Sequence, residues 1–99
     1  MKAHQQAIDW ALAKNYRCSV WDGEEWALCL SPDRKAIIDA IESVEFATVN
    51  IRELGQADII VSLDLIPYGV GDTETISDYY PADGEFNDWF DQRNAEDWK

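Results

Sequence analysis

The 99-residue chain is short of basic residues: eight Lys and Arg stand against twenty Asp and Glu, for a formal charge of −12. Affinity for a phosphate backbone comes mainly from cationic side chains, so this balance argues against direct nucleic-acid binding and, equally, against an anionic membrane surface. Cysteine is scarce as well. Cys18 and Cys29 are too few for a disulfide scaffold, and together with the single histidine, His4, they fall short of the four ligands of a structural zinc site. No apolar run approaches the roughly 20 residues that span a bilayer, since the longest, residues 59–66, is broken by Ser62 and Asp64. Residues 1–6 lack the apolar core of a signal peptide. The expectation is a soluble, cytoplasmic protein with no membrane contact.

Apolar residues make up 46% of the chain and aromatics 12%, which is enough to build the core of one small domain but not of two. In residues 2–14, Ala3, Ala7, Ile8, Ala11 and Leu12 recur at helical spacing. Residues 16–21 and 25–30 alternate at period two around Asp22-Gly23, as a hairpin does. The register that gathers the apolar side chains sets Tyr16, Cys18 and Val20 opposite Leu30, Leu28 and Trp26. It separates Cys18 from Cys29, and both read as small buried hydrophobes. Ser31-Pro32 marks the start of a second helix running to about Val44, with Ile37, Ile38, Ile41 and Val44 on its apolar side. Residues 45–53 and 58–66 form a second hairpin. Its expected register places Ala47, Val49 and Ile51 against Leu63, Val61 and Ile59, and Arg52 opposite Asp58.

The composition changes beyond the loop at 67–72. Residues 1–71 carry 11 acids and 6 bases, whereas residues 72–99 carry 9 acids and 2 bases, so the shorter segment holds most of the excess charge. Residues 73–80 are open to two readings, since Thr and Ile favour a strand while Asp72 can cap a helical turn. Asp83 can cap a final helix, with Phe86, Trp89, Phe90 and Arg93 on one side and Glu85, Asp88 and Gln92 on another.

The expected architecture is a two-layer α+β domain: a four-stranded, mainly antiparallel sheet built from two hairpins, packed on two helices. Residues 1–71 form the core, and the acidic, aromatic-rich segment 72–99 packs on the same domain as an additional C-terminal helix. The crossover through the second helix makes the second and third strands parallel, and placing the first strand between them keeps every neighbour antiparallel. The other sheet face, with Trp21, Ala27, Cys29, Phe46, Ile60 and Ile66, is apolar enough to need a cover: the last helix or a second copy.

The residues offer little chemistry. His4, near a terminus in the first turn of a helix, reads as a solvated surface group, and neither thiol has a general base apart from it. No glycine is preceded by the alternating acids of a calcium loop, and Gly69-Val70-Gly71 lacks the third glycine of a dinucleotide fingerprint. We therefore expect no enzyme activity, no cofactor and no metal. Acids and large aromatics interleave instead through the last segment, and clustered carboxylates cost stability by mutual repulsion. Aromatics can anchor an interface and carboxylates can steer it toward a basic surface. The expected partner-binding residues are Asp72, Glu74, Asp78, Asp83, Glu85, Asp88, Trp89, Asp91, Glu96 and Asp97. The partner is a basic protein, such as a nucleic-acid-binding or nuclease complex, whose cationic groove accepts carboxylates in place of phosphates. In composition and size the chain resembles the small acidic proteins by which bacteriophages and mobile genetic elements block host defence nucleases. The competing expectation is an adaptor, an antitoxin-like module or a homodimer that buries its second sheet face.

Overall fold

The computed structural model describes residues 2–68, 75–81 and 83–92. The elements run α1 (Ala3–Ala13), β1 (Tyr16–Trp21), β2 (Trp26–Ser31), α2 (Arg34–Glu42), β3 (Ala47–Glu53), β4 (Ile59–Leu65), β5 (Ile76–Tyr80) and α3 (Glu85–Asp91). The five strands form one antiparallel sheet in the order β2-β1-β3-β4-β5. The α+β class is as expected, but the sheet has five strands rather than four. Residues 76–80 pair with β4 because Ile76 opposite Leu65 and Tyr79 opposite Leu63 give this segment two residues to place on the core side.

Both hairpins depart from the expected registers. In the first, Val20 faces Leu28 but Cys18 faces Ser31, so β2 spends an extra residue between the two pairs. Leu30 absorbs it at φ +51°, a left-handed conformation that an L side chain rarely adopts. The bulge keeps Leu28 against the core and turns Leu30 outward. It also leaves Cys29 exposed, contrary to expectation, while Cys18 is buried and its thiol is pushed up to about 12 by burial alone. In the second hairpin the pairing is slipped by two residues: Val49 faces Leu63 and Ile51 faces Val61. A slip of two preserves the faces, so Ala47, Val49, Ile51, Val61, Leu63 and Leu65 all still reach the core. It does not preserve the expected Arg52 to Asp58 ion pair, since Arg52 lies opposite Ile59.

The second helix starts later than Ser31-Pro32 suggests. Asp33 is its N-cap, and its carboxylate accepts from the backbone N–H groups of Lys35 at 3.0 Å and Ala36 at 3.4 Å. Ser31 serves the preceding turn, its hydroxyl oxygen accepting from the Asp33 N–H. α2 buries Ile37, Ile38 and Ile41, and α1 buries Ala3, Ala7, Ile8 and Ala11, so both lie on the face formed by Cys18, Val20, Val49 and Ile51.

His4 belongs to that same buried side of α1. It has no exposed surface, which corrects its reading as a solvated residue. Its Nε2 is 2.7 Å from Glu42 Oε2 on α2, the same oxygen accepts from Gln5 Nε2, and the His4 N–H donates to Thr75 Oγ1 at 3.0 Å. Burial pulls the imidazole below its ordinary value, against the opposing pull of Glu42. Lys2 and Tyr68 close the same corner: the ammonium donates to the Pro67 carbonyl and the phenol to the Glu42 carbonyl.

The last helix does not cover the second sheet face. α3 joins α1 and α2 on the first, where Phe86, 2% exposed, is wedged between Trp10 of α1 and Tyr79 of β5 with ring centroids 5.3 and 5.0 Å away. The helical layer therefore occupies one side of the sheet, and among the described residues nothing covers the other.

Candidate functional site

α3 begins at Gly84, not at a side-chain cap from Asp83. Its aromatics face inward: Phe86 is buried, Trp89 is half-buried with its ring 5.9 Å from that of Trp10, and Phe90 packs at 5.4 Å against Tyr79. Its acids face outward. Asp83, Glu85, Asp88 and Asp91 are all exposed, and the last three recur every third residue along one side of the helix. The rise between successive carboxylates is about 4.5 Å, comparable with the roughly 3.4 Å of axial rise per phosphate on one DNA strand.

The helix dipole accounts for part of this arrangement. Glu85 and Asp88 lie in the first turn, where negative charge is favourable, but Asp91 lies in the last turn, where it is not, and no basic residue stands there. The ion pairs among the described residues are His4–Glu42, Arg34–Asp9 and Lys35–Asp39, so no cation among them neutralises the α3 acids. The two nearby tyrosines are both raised, with the acids' charges adding to larger causes. Tyr16 donates to Glu85 at 2.5 Å, and this bond, followed by burial and the charges of Glu85 and Glu53, pushes its phenol up to about 12. The Tyr79 phenol, which donates to Asn87 Oδ1, is raised by burial and then by Asp91 and Asp78.

The structure brings together Asp83, Glu85, Asp88, Asp91 and half-buried Trp89, and adds Glu53, at the end of β3, to their neighbourhood. Asp78 stands apart, on β5 directly opposite Asp64. Asp72, Glu74, Glu96 and Asp97 lie outside the described residues. Among the described residues no His, Cys, Asp and Glu group is placed to hold a metal ion, and no helix is long and apolar enough to cross a membrane.

The uncovered sheet face is a second region of interest. Cross-strand pairing sets Trp26, Trp21, Thr48, Asp64 and Asp78 in one row, Ser19, Asn50, Ser62 and Tyr80 in the next, and Arg17, Arg52 and Ile59 in a third. The polar row is internally bonded, with Ser62 donating to Asn50 Oδ1 at 2.8 Å and Ser19 accepting from the Leu30 N–H. Arg52 Nε is buried without a hydrogen-bond partner. Two hollows indent the face, one lined by Ser19, Trp26, Cys29, Leu30, Asn50 and Arg52, the other by residues that include Trp21, Phe46, Thr48, Asp64 and Ser77. Sequence reading paired strands only within hairpins, so it did not place Arg17 opposite Arg52 or Asp64 opposite Asp78.

No family model, no curated protein and no solved structure matches the chain. The functional reading therefore rests on the geometry and charge of these two regions.

Proposed function

We propose that the chain is a small protein-binding domain, an inhibitor or regulator that docks on the basic, nucleic-acid-binding surface of a partner protein and offers carboxylates where that surface expects phosphates. The observation that carries this reading is the division of α3: its rings are spent on the core, while Glu85, Asp88 and Asp91 line the outward side with no cation among the described residues to neutralise them. Asp91 in the last turn opposes the helix dipole, so local helix stability does not account for it. In this reading the charge of the α3 side supplies steering and register, and Trp89 holds the helix in place instead of serving as a detached anchor.

The test is competition. Purified nucleases and nucleic-acid-binding proteins, each carrying labelled duplex DNA, are titrated with the chain, and DNA release is followed by fluorescence anisotropy. The chain should displace DNA from at least one of them, and the variant Glu85→Gln/Asp88→Asn/Asp91→Asn should do so at least about tenfold less effectively. Equal displacement by the folded variant would refute the reading.

A further inference from the structure

The chain carries 20 acids and 8 bases, yet the uncovered sheet face holds two cross-strand pairs of like charge and opposite sign. Arg17 lies directly opposite Arg52, between β1 and β3, and Asp64 lies directly opposite Asp78, between β4 and β5. Directly opposed like charges destabilise a sheet, and exchanging one member of each pair would have relieved both. Neither pair meets an opposite charge among the described residues, whose ion pairs involve none of these four side chains; the two carboxylates have only neutral donors there, the Thr48 hydroxyl to Asp64 Oδ1 at 3.3 Å and the Tyr79 N–H to Asp78 Oδ1 at 2.8 Å. Among the described residues Arg17 reaches only the carbonyls of Asn15 and Tyr16, and Arg52 keeps a buried Nε without an acceptor. The two pairs are offset diagonally across the face, the arginines on β1 and the central strand β3 in one outer row and the aspartates on β4 and the edge strand β5 in the other. Trp26, Phe46 and Tyr80, which are 45%, 69% and 77% exposed, border the same face.

We propose that this face is a self-complementary interface and that its occupant is a second copy of the chain. A two-fold axis lying between two apposed sheets sets the arginine pair of each copy over the aspartate pair of the other, so that the contact is made twice. Each arginine pair then receives two carboxylates and each aspartate pair receives two guanidinium groups, and burial of the exposed aromatics adds the apolar contribution. The four charges sum to zero on this face. It is thus a part of a strongly acidic surface on which a second acidic copy is not repelled. The inference is independent of the proposed role of α3, which packs on the other side of the sheet.

Charge reversal tests the proposal. Sedimentation velocity on the full chain at low salt should show a dimer that weakens as salt is added. Arg17→Glu/Arg52→Glu and Asp64→Arg/Asp78→Arg, each checked for folding by circular dichroism, should both be monomeric alone and should form a one-to-one heterodimer when mixed. A single variant that misfolds is replaced by Arg52→Glu or Asp78→Arg, for which the same loss and partial recovery on mixing are expected. A wild-type chain that stays monomeric up to about 1 mM overturns the proposal. So does a dimer that survives both reversals, or a monomer that binds an acidic peptide through Arg52, which would place a different occupant on the face.

Discussion

The two sides of the sheet use the same strands for opposite ends. On the helical side, alternate residues of β1, β3 and β4 are apolar and meet three helices, and the buried imidazole there has its Nε2 against a carboxylate and its backbone N–H on a hydroxyl, with Nδ1 as the one orphaned atom on that side among the described residues. On the open side the intervening residues are a mixture of Ser, Asn, Thr, Arg, Asp and Trp, with like charges opposed and an arginine Nε left without an acceptor. Stability therefore resides on the helical side, which carries the fold, while the open side and the acidic flank of α3 tolerate unfavourable electrostatics that packing elsewhere offsets.

Truncation should separate the two sides most clearly. Phe86→Ala removes a ring enclosed by Trp10, Tyr79, Trp89 and Phe90, and should lower unfolding free energy by about 3 to 5 kcal/mol in urea titrations. Phe46→Ala, on the open side, should change it by less than about 0.5 kcal/mol in the monomer. Similar losses for the two would erase the distinction. Asp33→Ala tests the helical layer at one of its ends and should cost about 1 kcal/mol through loss of the α2 cap.

The pH dependence should also belong to the helical side. Burial holds His4 below its ordinary value of 6.5, so the folded state binds fewer protons than the unfolded chain as pH falls through that value. The contribution of His4 is therefore fully present above about pH 6.5 and is lost as pH drops toward and through the depressed value. Glu42 and Lys2 are the charged groups acting on it, with Gln5 sharing the Glu42 oxygen. Because protonating the many carboxylates also changes stability, the quantity to follow is the difference between wild type and His4→Gln, which should narrow between pH 8 and pH 5. A constant difference would mean that the imidazole does not titrate differently on folding.

The smallest effect is expected on the open side. Arg52→Gln relieves the repulsion from Arg17 and breaks no ion pair or hydrogen bond among the described residues, so the stability of the monomer should be unchanged or raised by a few tenths of a kcal/mol. A clear loss in urea titrations would show that Arg52 supports the fold.

Periodicity made the helical side legible. The spacing of Ala3, Ala7, Ile8 and Ala11 gave α1 to within a residue at each end, and the requirement for antiparallel neighbours agrees with β1 lying between β2 and β3. His4 falls on the same helical spacing as Ala7, Ile8 and Ala11, so its burial was written in the pattern, but its residue type and terminal position pointed to solvent. The bulge at Leu30 was not legible, because nothing in the alternation marks an extra residue and Leu is not a residue that ordinarily adopts positive φ. The charge pairs on the open side depend on pairing β1 with β3 and β4 with β5. Those contacts are set by tertiary packing and not by a turn, as is the side of the sheet on which α3 comes to rest.

The docking role proposed for the acidic flank of α3 depends on its carboxylates. It is tested most directly by calorimetric titration of the chain into the basic protein from which it displaces DNA, at about 50 and about 200 mM salt, with wild type and Glu85→Gln/Asp88→Asn/Asp91→Asn in parallel. Wild-type affinity should fall steeply with salt, and the variant should bind more weakly with a flatter dependence. Parallel salt dependences for the two folded proteins would contradict it.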